Sequence, residues 1–134
     1  MMPRFIWPLV FLIAGCSTLQ PVPPSGLMWA YFGESQTIPS LQVVVYLPDR
    51  PTCEENRVKD LKVPAAAEYA RLKYSGECRR IAVGSGSDYW VFAILNGAVG
   101  AKDQDWCLKM REGLTQKYPA RLGQCQPMGI RDLP

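Results

Sequence analysis

The stretch that decides the fold is CRRIAVGSGSDYWVFAIL, residues 78–95. It contains two strand-like runs: 78–83, which ends in Ile81-Ala82-Val83, and 89–95, which consists of aromatic, β-branched and aliphatic residues. Between them, glycine and serine alternate up to Asp88, a composition that favours a turn. The sequence therefore predicts a β-hairpin. Since its second run is apolar on both faces, we expect that strand to lie inside a sheet.

The segments before this hairpin predict a strand, a broken helical region and an additional earlier strand. Residues 41–47 form a β-branched run, and we expect a central strand there. From Thr52, a candidate helix cap, the spacing of apolar residues becomes helical. Pro64 predicts a break, followed by a second helical piece over 65–74. Residues 27–32 are bulky enough to form an extra N-terminal strand.

The segments after the hairpin predict a loop, a helix and a last strand. Residues 97–102 are mostly glycine and alanine and are interpreted as a connecting loop. This loop precedes a helix, as phosphate-binding loops do, but it lacks the Walker spacing. Asp103 or Asp105 is expected to cap the helix, and Pro119 to end it. Residues 120–130 predict the final strand.

From residue 41 onward, the predicted order is strand, helix, strand, strand, helix, strand. We therefore expect an α+β domain with a small antiparallel sheet and two helical segments. The order is that of the split βαβ, or ferredoxin-like, arrangement βαββαβ, with the extra strand at 27–32 in front of it. Residues 27–134 are expected to form one domain.

The N-terminus has the order of an export signal. It reads MMPRFIWPLVFLIAGC, residues 1–16, in which Arg4 precedes an uncharged, largely apolar stretch. This stretch is about ten residues long, whereas a membrane-spanning helix needs roughly 20. Its end, Ile13-Ala14-Gly15-Cys16, resembles the bacterial lipobox, which consists of an aliphatic residue, two small residues and a cysteine. The resemblance is confined to these first residues.

The lipobox resemblance implies a bacterial lipoprotein with a modified N-terminus. A diacylglycerol would be attached to Cys16 through a thioether, and residues 1–15 would be removed as a signal peptide. The new amino group would then be acylated, for example with palmitate. Several acyl chains would make membrane anchoring effectively permanent. The alternative is an ordinary secretory signal in which Cys16 is incidental.

The residues that follow the lipobox predict a tether and a location. Residues 16–26 are rich in proline and polar groups, so we expect a short, extended linker that keeps the domain near the membrane. Ser17 resembles the outer-membrane class of lipoproteins, because aspartate at that place usually signals retention in the inner membrane. The expected location is the outer membrane of the bacterial envelope, with the domain facing the periplasm.

The cysteine count supports the same interpretation. Five cysteines would leave one thiol unpaired in an exported protein. Lipidation of Cys16 leaves an even set, which suits two disulfides in an oxidising periplasm. Zinc is the alternative, but its ligands usually come in closely spaced pairs, and these cysteines are far apart. Nearest-neighbour pairing would join Cys53 with Cys78 and Cys107 with Cys125, and two other connectivities remain open.

The composition excludes several activities. The chain has no histidine, which removes the Ser-His-Asp and Cys-His nucleophile systems and the histidine-based zinc motifs. The acid pairs Glu54-Glu55 and Asp103-Asp105 lie at predicted helix starts, where acids suit the helix dipole. Removal of Arg4 leaves 14 of the 15 basic side chains against 12 acidic ones, too small an excess to predict nucleic-acid binding. We predict no enzyme activity, no metal and no cofactor.

The glycine- and serine-rich turn is the candidate partner-binding loop. A small, polar hairpin beside aromatic residues resembles the Ser-Gly loops with which exported lysozyme inhibitors plug an enzyme cleft. The resemblance covers only a few residues. The alternative is a structural turn whose aromatic residues begin a buried strand. The candidate binding residues are Ser85, Ser87, Asp88, Tyr89 and Trp90.

Together, these observations predict a lipid-anchored, non-enzymatic binding or assembly module. The strand order is similar to that of sporulation-related repeat domains, which bind peptidoglycan. Besides membrane lipid at Cys16, the expected partner is therefore an envelope protein or peptidoglycan. The first alternative function is inhibition of a cell-wall hydrolase of the lysozyme type. The second is glycan processing by two carboxylates, since that chemistry needs no histidine.

Overall fold

The computed structural model describes residues 21–61, 72–74, 76–94, 96–115 and 122–134. The predicted signal peptide, Cys16, Ser17, the predicted break at Pro64 and the predicted helix end at Pro119 lie outside these residues. The described elements, in chain order, are β1 (Gly26–Ser35), β2 (Gln42–Leu47), α1 (Arg50–Leu61), β3 (Leu72–Tyr74), β4 (Arg79–Ile94), β5 (Gly97–Ala101), α2 (Gln104–Thr115) and β6 (Gln126–Asp132).

The described strands form one antiparallel sheet that closes on itself. Its order is β3-β1-β2-β5-β4-β6, and β1 also pairs with β4. Strands β1, β2, β5 and β4 therefore close in a barrel-like manner. Ala30 shows the closure, since it lies opposite Tyr46 on β2 and opposite Arg79 on β4. Because side chains alternate along a strand, one set points into the closed interior and the other set points outward.

The interior of the closed sheet holds the main core. β-branched and aromatic residues fill it, as their strand preference predicts. Phe32, Met128 and Ile130 pack at its margin and are partly buried. The buried members are Met28, Ala30, Val44, Tyr46, Ile81, Val83, Tyr89, Val91 and Ala98.

Both helices pack on the outer face of the sheet. α1 packs on β1 and β2, next to Tyr31 and Leu47, whereas α2 packs on β4 and β5, next to Phe92. Each helix starts at an aspartate cap. Asp49 accepts the N–H of Thr52 at 2.9 Å, and Asp103 accepts the N–H of Asp105 at 2.8 Å. Asp49, and not Thr52, is therefore the cap of α1.

Two disulfides tie the helices to the strands. Cys53 of α1 pairs with Cys78 just before β4, and Cys107 of α2 pairs with Cys125 just before β6. This is the nearest-neighbour connectivity. Cys53 and Cys107 are completely buried, so both bridges belong to the packing beneath the helices.

The predicted hairpin is wrong, because the two runs belong to one long strand. β4 runs without interruption from Arg79 to Ile94. Opposite it on β6, the register jumps between Gly84 and Tyr89, so residues 85–88 have no partner there. We call residues 85–88 the β4 bulge. A glycine- and serine-rich stretch can form a bulge as readily as a turn, and pairing with β1, β5 and β6 keeps both halves in the same strand.

The predicted connecting loop at 97–102 is also wrong, since Gly97–Ala101 is strand β5. Glycine and alanine have low strand preference, but tertiary packing overrides it here. A Cβ added at Gly97 would lie 2.0 Å from the Tyr46 carbonyl oxygen, and one at Gly100 would lie 2.0 Å from the Trp90 carbonyl oxygen. β5 fits between β2 and β4 only with glycine at positions 97 and 100.

The general fold class is as predicted: a small antiparallel sheet, two helices and two disulfides, with β1 as the extra N-terminal strand. The ferredoxin-like arrangement is not confirmed, because the sheet closes and β6 pairs with β4. The second helical piece is wrong where it is described, since Leu72–Tyr74 is strand β3. In the described part of the chain, neither helix has the length and apolar character needed to cross a membrane.

Candidate functional site

A shallow cleft lies between the β4 bulge and β6. Its volume is about 340 Å³, within the usual range of small ligand pockets. The floor is mostly backbone, because it includes two glycines and because the side chains of Val83 and Ile130 point into the closed interior. Ser85, Asp88 and Arg131 supply the polar side chains of the walls. The other lining residues are Ala82, Val83, Gly84, Gly129 and Ile130.

The bulge is fixed in place by contact between two glycines. Gly86 has a φ of +150°, a conformation that side chains disfavour. A Cβ added at Gly86 would lie 2.7 Å from the Cα of Gly129, and one at Gly129 would lie 2.4 Å from the carbonyl oxygen of Ser85. The backbone of the bulge therefore lies directly against β6.

Asp88 fixes the other end of the bulge. Its Oδ2 accepts the backbone N–H of Ile130 at 3.0 Å. This bond spans 42 positions in sequence and ties the bulge to the strand that forms the opposite wall of the cleft. The bulge is therefore held at Gly86 and at Asp88.

The five candidate residues of the predicted loop separate into two groups. Ser85, Ser87 and Asp88 are exposed on the bulge. Tyr89 is only 8% exposed and points into the closed interior, where its ring lies 6.1 Å from that of Phe32. Burial raises the pKa of Tyr89 above its usual range. Trp90 is half-buried in the apolar cluster beneath α2.

The structure adds two residues from β6 to the site that the sequence did not indicate. Gly129 admits the bulge, and Arg131 forms part of the cleft wall. Arg131 is exposed and makes no salt bridge with a described residue. Its neighbour Asp132 lies on the opposite face of β6, where it binds Arg79 at 2.9 Å. Gly129 and Arg131 did not stand out in the sequence, because they reach the bulge only through the pairing of β4 with β6.

The acid pairs that the sequence singled out have structural contacts. Glu54 accepts the backbone N–H of Cys78 and the Arg57 Nε–H, both at 2.9 Å. The hydrogen bond from the Cys78 N–H lowers the pKa of Glu54 below its usual range, and the hydrogen bond from Arg57 lowers it further. Glu55 forms an exposed ion pair with Lys59 at 3.4 Å. Glu54 therefore fastens α1 next to the Cys53–Cys78 bridge.

A polar contact beneath α1 was not predicted. The Tyr31 hydroxyl donates a hydrogen bond to Asp60, which connects the end of α1 to β1. Burial raises the pKa of Tyr31 and of Asp60, and it raises the pKa of Tyr74 to about 12. The ring of Tyr74 contacts that of Tyr31 edge-on at 5.5 Å. These groups lie together near the C-terminal end of α1, and no spacing in the sequence indicates that they meet.

We expect Glu54→Gln to lower the free energy of unfolding at pH 7. A carboxylate whose pKa is lower in the folded than in the unfolded state stabilises the fold above its unfolded pKa, and this contribution disappears as the pH falls through the folded pKa. The difference between variant and wild type should therefore shrink in acid. Urea denaturation at several pH values measures it.

The matched control is Glu55→Gln, because Glu55 lies on the same helix but its ion pair with Lys59 is exposed. Exposed pairs contribute little, so this variant should resemble the wild type at every pH. Equal losses for Glu54→Gln and Glu55→Gln, with no dependence on pH, would show that Glu54 does not fasten the helix.

The prediction that the chain holds no metal can be examined only in the part of the chain that the structure describes. There, Cys53, Cys78, Cys107 and Cys125 are all in disulfides, and no group of three or more histidine, cysteine or acidic side chains could hold a metal ion. The lipidation candidate Cys16 lies outside the described residues. The absence of a cofactor stays a prediction.

No protein-family model, no curated protein and no solved structure matches this chain.

Proposed function

We propose that this chain is a lipid-anchored envelope lipoprotein whose domain is a non-enzymatic binding or assembly module. One observation carries the proposal: the other four cysteines pair with one another. Cys16 is the fifth, and it stands at the end of the lipobox sequence. The domain faces the periplasm, where both disulfides can form and persist.

The way the chain enters the domain supports a position close to the membrane. Pro23 is buried, the Pro24 carbonyl accepts the Tyr46 hydroxyl at 2.9 Å, and a Cβ at Gly123 would lie 2.5 Å from the Pro21 carbonyl oxygen. Residues 21–25 thus belong to the domain, although the tether was expected to extend to residue 26. Even a fully extended chain spans only about 18 Å from Cys16 to Pro21. The domain therefore works beside the membrane, which Ser17 suggests is the outer one.

The cleft between the bulge and β6 is the binding site of this module. It combines a fixed backbone, a small apolar surface at Ala82 and a few polar groups, and such a combination can orient a ligand. The partner is peptidoglycan or another envelope protein. A catalytic role would need an acid pair facing a shared cleft, whereas Glu54 fastens a helix and Asp103 caps one.

Metabolic labelling with a fatty acid tests the anchor. The wild type should incorporate label and sediment with membranes, whereas Cys16→Ala should lose both properties completely. Ser17→Ala is the matched control, because it keeps the lipobox cysteine and should label like the wild type. Equal labelling of wild type and Cys16→Ala would refute the lipoprotein assignment.

A second candidate is inhibition of a cell-wall hydrolase by the β4 bulge. The observation that favours it is that Ser85, Ser87 and Asp88 are exposed on a segment held in place at Gly86 and Asp88. A preorganised segment binds a cleft at a lower entropic cost. Tyr89 and Trp90 would support this segment from below. Inhibition of lysozyme by micromolar mature protein, lost in Asp88→Ala, would favour this function over the binding module.

A further inference from the structure

We propose that the cleft binds the free carboxylate end of a short peptide with small aliphatic side chains. This inference rests on the proposed function, because it names the ligand class of the same binding module. The argument starts from Arg131 and proceeds through the floor to the opposite wall of the cleft.

Arg131 is placed to bind a carboxylate. It lies in one cross-strand row with Ala82 on β4 and Leu27 on β1. Leu27 is 62% exposed, so no described element covers the end of the row that lies on β1. The nearest acid in sequence, Asp132, is taken by Arg79 on the other face. A guanidinium presents a fork of N–H donors that matches a carboxylate in two parallel hydrogen bonds.

The floor of the cleft fits a small aliphatic chain. Gly84 and Gly129 contribute only backbone, Val83 and Ile130 do the same because their side chains pack in the core, and Ala82 contributes its methyl group. Nothing lies within 4 Å of a Cβ built at Gly84, so the space above it is open. The cleft volume of about 340 Å³ is near the lower end for ligand sites, which suits a dipeptide-sized group.

The opposite wall supplies acceptors for N–H groups. The Asp88 carboxylate is oriented by the Ile130 N–H, and the Ser85 hydroxyl lies on the same bulge. A carboxylate only accepts hydrogen bonds, whereas a hydroxyl both donates and accepts. A ligand with N–H donors at one end and a carboxylate at the other satisfies both walls.

The cleft is less suited to a sugar than to a peptide end. Carbohydrate sites usually offer an aromatic face for stacking, and the described lining residues include no aromatic side chain. The two nearest aromatics in sequence, Tyr89 and Trp90, are directed into apolar clusters. A glycan strand is therefore the alternative that the experiment must separate.

Isothermal titration of the mature protein in detergent tests the inference. The probes are L-alanyl-L-alanine, D-alanyl-D-alanine, the C-terminal amide of the better dipeptide and a trisaccharide of N-acetylglucosamine. We expect one dipeptide to bind, and its amide to bind at least about tenfold more weakly, since a charged hydrogen bond is lost. The stereoisomers distinguish a protein C-terminus from a cell-wall peptide.

Three variants locate the binding. Arg131→Gln should weaken it about tenfold or more, whereas Arg79→Gln, an arginine on the opposite face, should not change it. Gly84→Leu should fill the cleft and abolish binding while the thermal midpoint stays unchanged, because its Cβ meets nothing.

Failure of both dipeptides at millimolar concentration would overturn the inference, as would binding that Arg131→Gln and Gly84→Leu leave unchanged. Binding of the trisaccharide alone would also overturn it, while leaving the binding module in place. Loss of the lipid anchor is detected separately by the fatty-acid labelling of Cys16→Ala.

Discussion

Replacement of Cys53 and Cys78 by alanine is expected to lower the free energy of unfolding by about 3.5 kcal/mol. The bridge closes 25 residues of chain and so restricts the unfolded state. It also joins buried Cys53 of α1 to the start of β4. The bridge therefore restricts the unfolded chain and also helps to hold α1 in the folded state, together with the Glu54 and Tyr31–Asp60 contacts. Urea denaturation under non-oxidising conditions, compared with the wild type, measures the loss.

The Cys107–Cys125 bridge provides the matched comparison. It closes 18 residues, so its removal should cost slightly less, about 3.2 kcal/mol. Because the bridges lie under different helices, their effects should add. A loss below about 1 kcal/mol for either pair would mean that the helices are held mainly by apolar packing, and the role given to the bridges would be wrong.

Gly100→Ala is expected to destabilise the domain by about 3 kcal/mol or more, or to prevent folding. The added Cβ would lie 2.0 Å from the Trp90 carbonyl oxygen and 2.6 Å from the Cα of Val91. These are backbone atoms of the neighbouring strand, so a side-chain rotation cannot relieve the overlap. The strand pairing between β5 and β4 would have to separate. Thermal and urea denaturation of the variant measure the effect.

Gly84→Ala is the control for Gly100→Ala. Both glycines lie in strands of the same sheet, but a Cβ at Gly84 meets nothing within 4 Å. The control should keep its stability or gain up to about 1 kcal/mol, because alanine reduces the entropy of the unfolded chain. Similar stabilities for the two variants would contradict the close packing described for β5.

The sequence predicted those elements whose signal is local. Residues 41–47 are β-branched and correspond closely to β2, and α2 begins at Asp103, one of its two expected caps, whereas α1 begins at Asp49 and not at the expected Thr52. The disulfide pairing was among the alternatives because nearest neighbours in sequence give short loops. Helix α2 has the apolar face that a helix on a sheet surface needs, whereas Val58 of α1 is 40% exposed.

The incorrect predictions have non-local causes. Residues 97–101 form a central strand although glycine and alanine disfavour one, since Gly97 and Gly100 lie too close to the backbones of β2 and β4 to admit a Cβ. Residues 84–88 look like a hairpin turn, but pairing of β4 with β1, β5 and β6 keeps the strand continuous. Neither the closure of the sheet nor the position of β6 leaves a pattern in the sequence.

The candidate site was predicted only in part, because it too depends on the pairing of distant strands. The exposed residues Ser85 and Asp88 lie on the segment that the composition singled out. Arg131 and Gly129 complete the cleft, but they are more than forty positions away and meet the bulge only through the β4–β6 register. The burial of Tyr89 agrees with the alternative in which the aromatic residues begin a buried strand, although that strand is the continuation of β4 and not the second arm of a hairpin.

The most direct measurement of the central claim is mass spectrometry of the N-terminal peptide of protein purified from membranes. The lipoprotein assignment predicts a peptide that begins at Cys16 and carries a thioether-linked diacylglycerol, with a further acyl chain on its amino group. A peptide that begins elsewhere, or an unmodified Cys16 at its start, would contradict it.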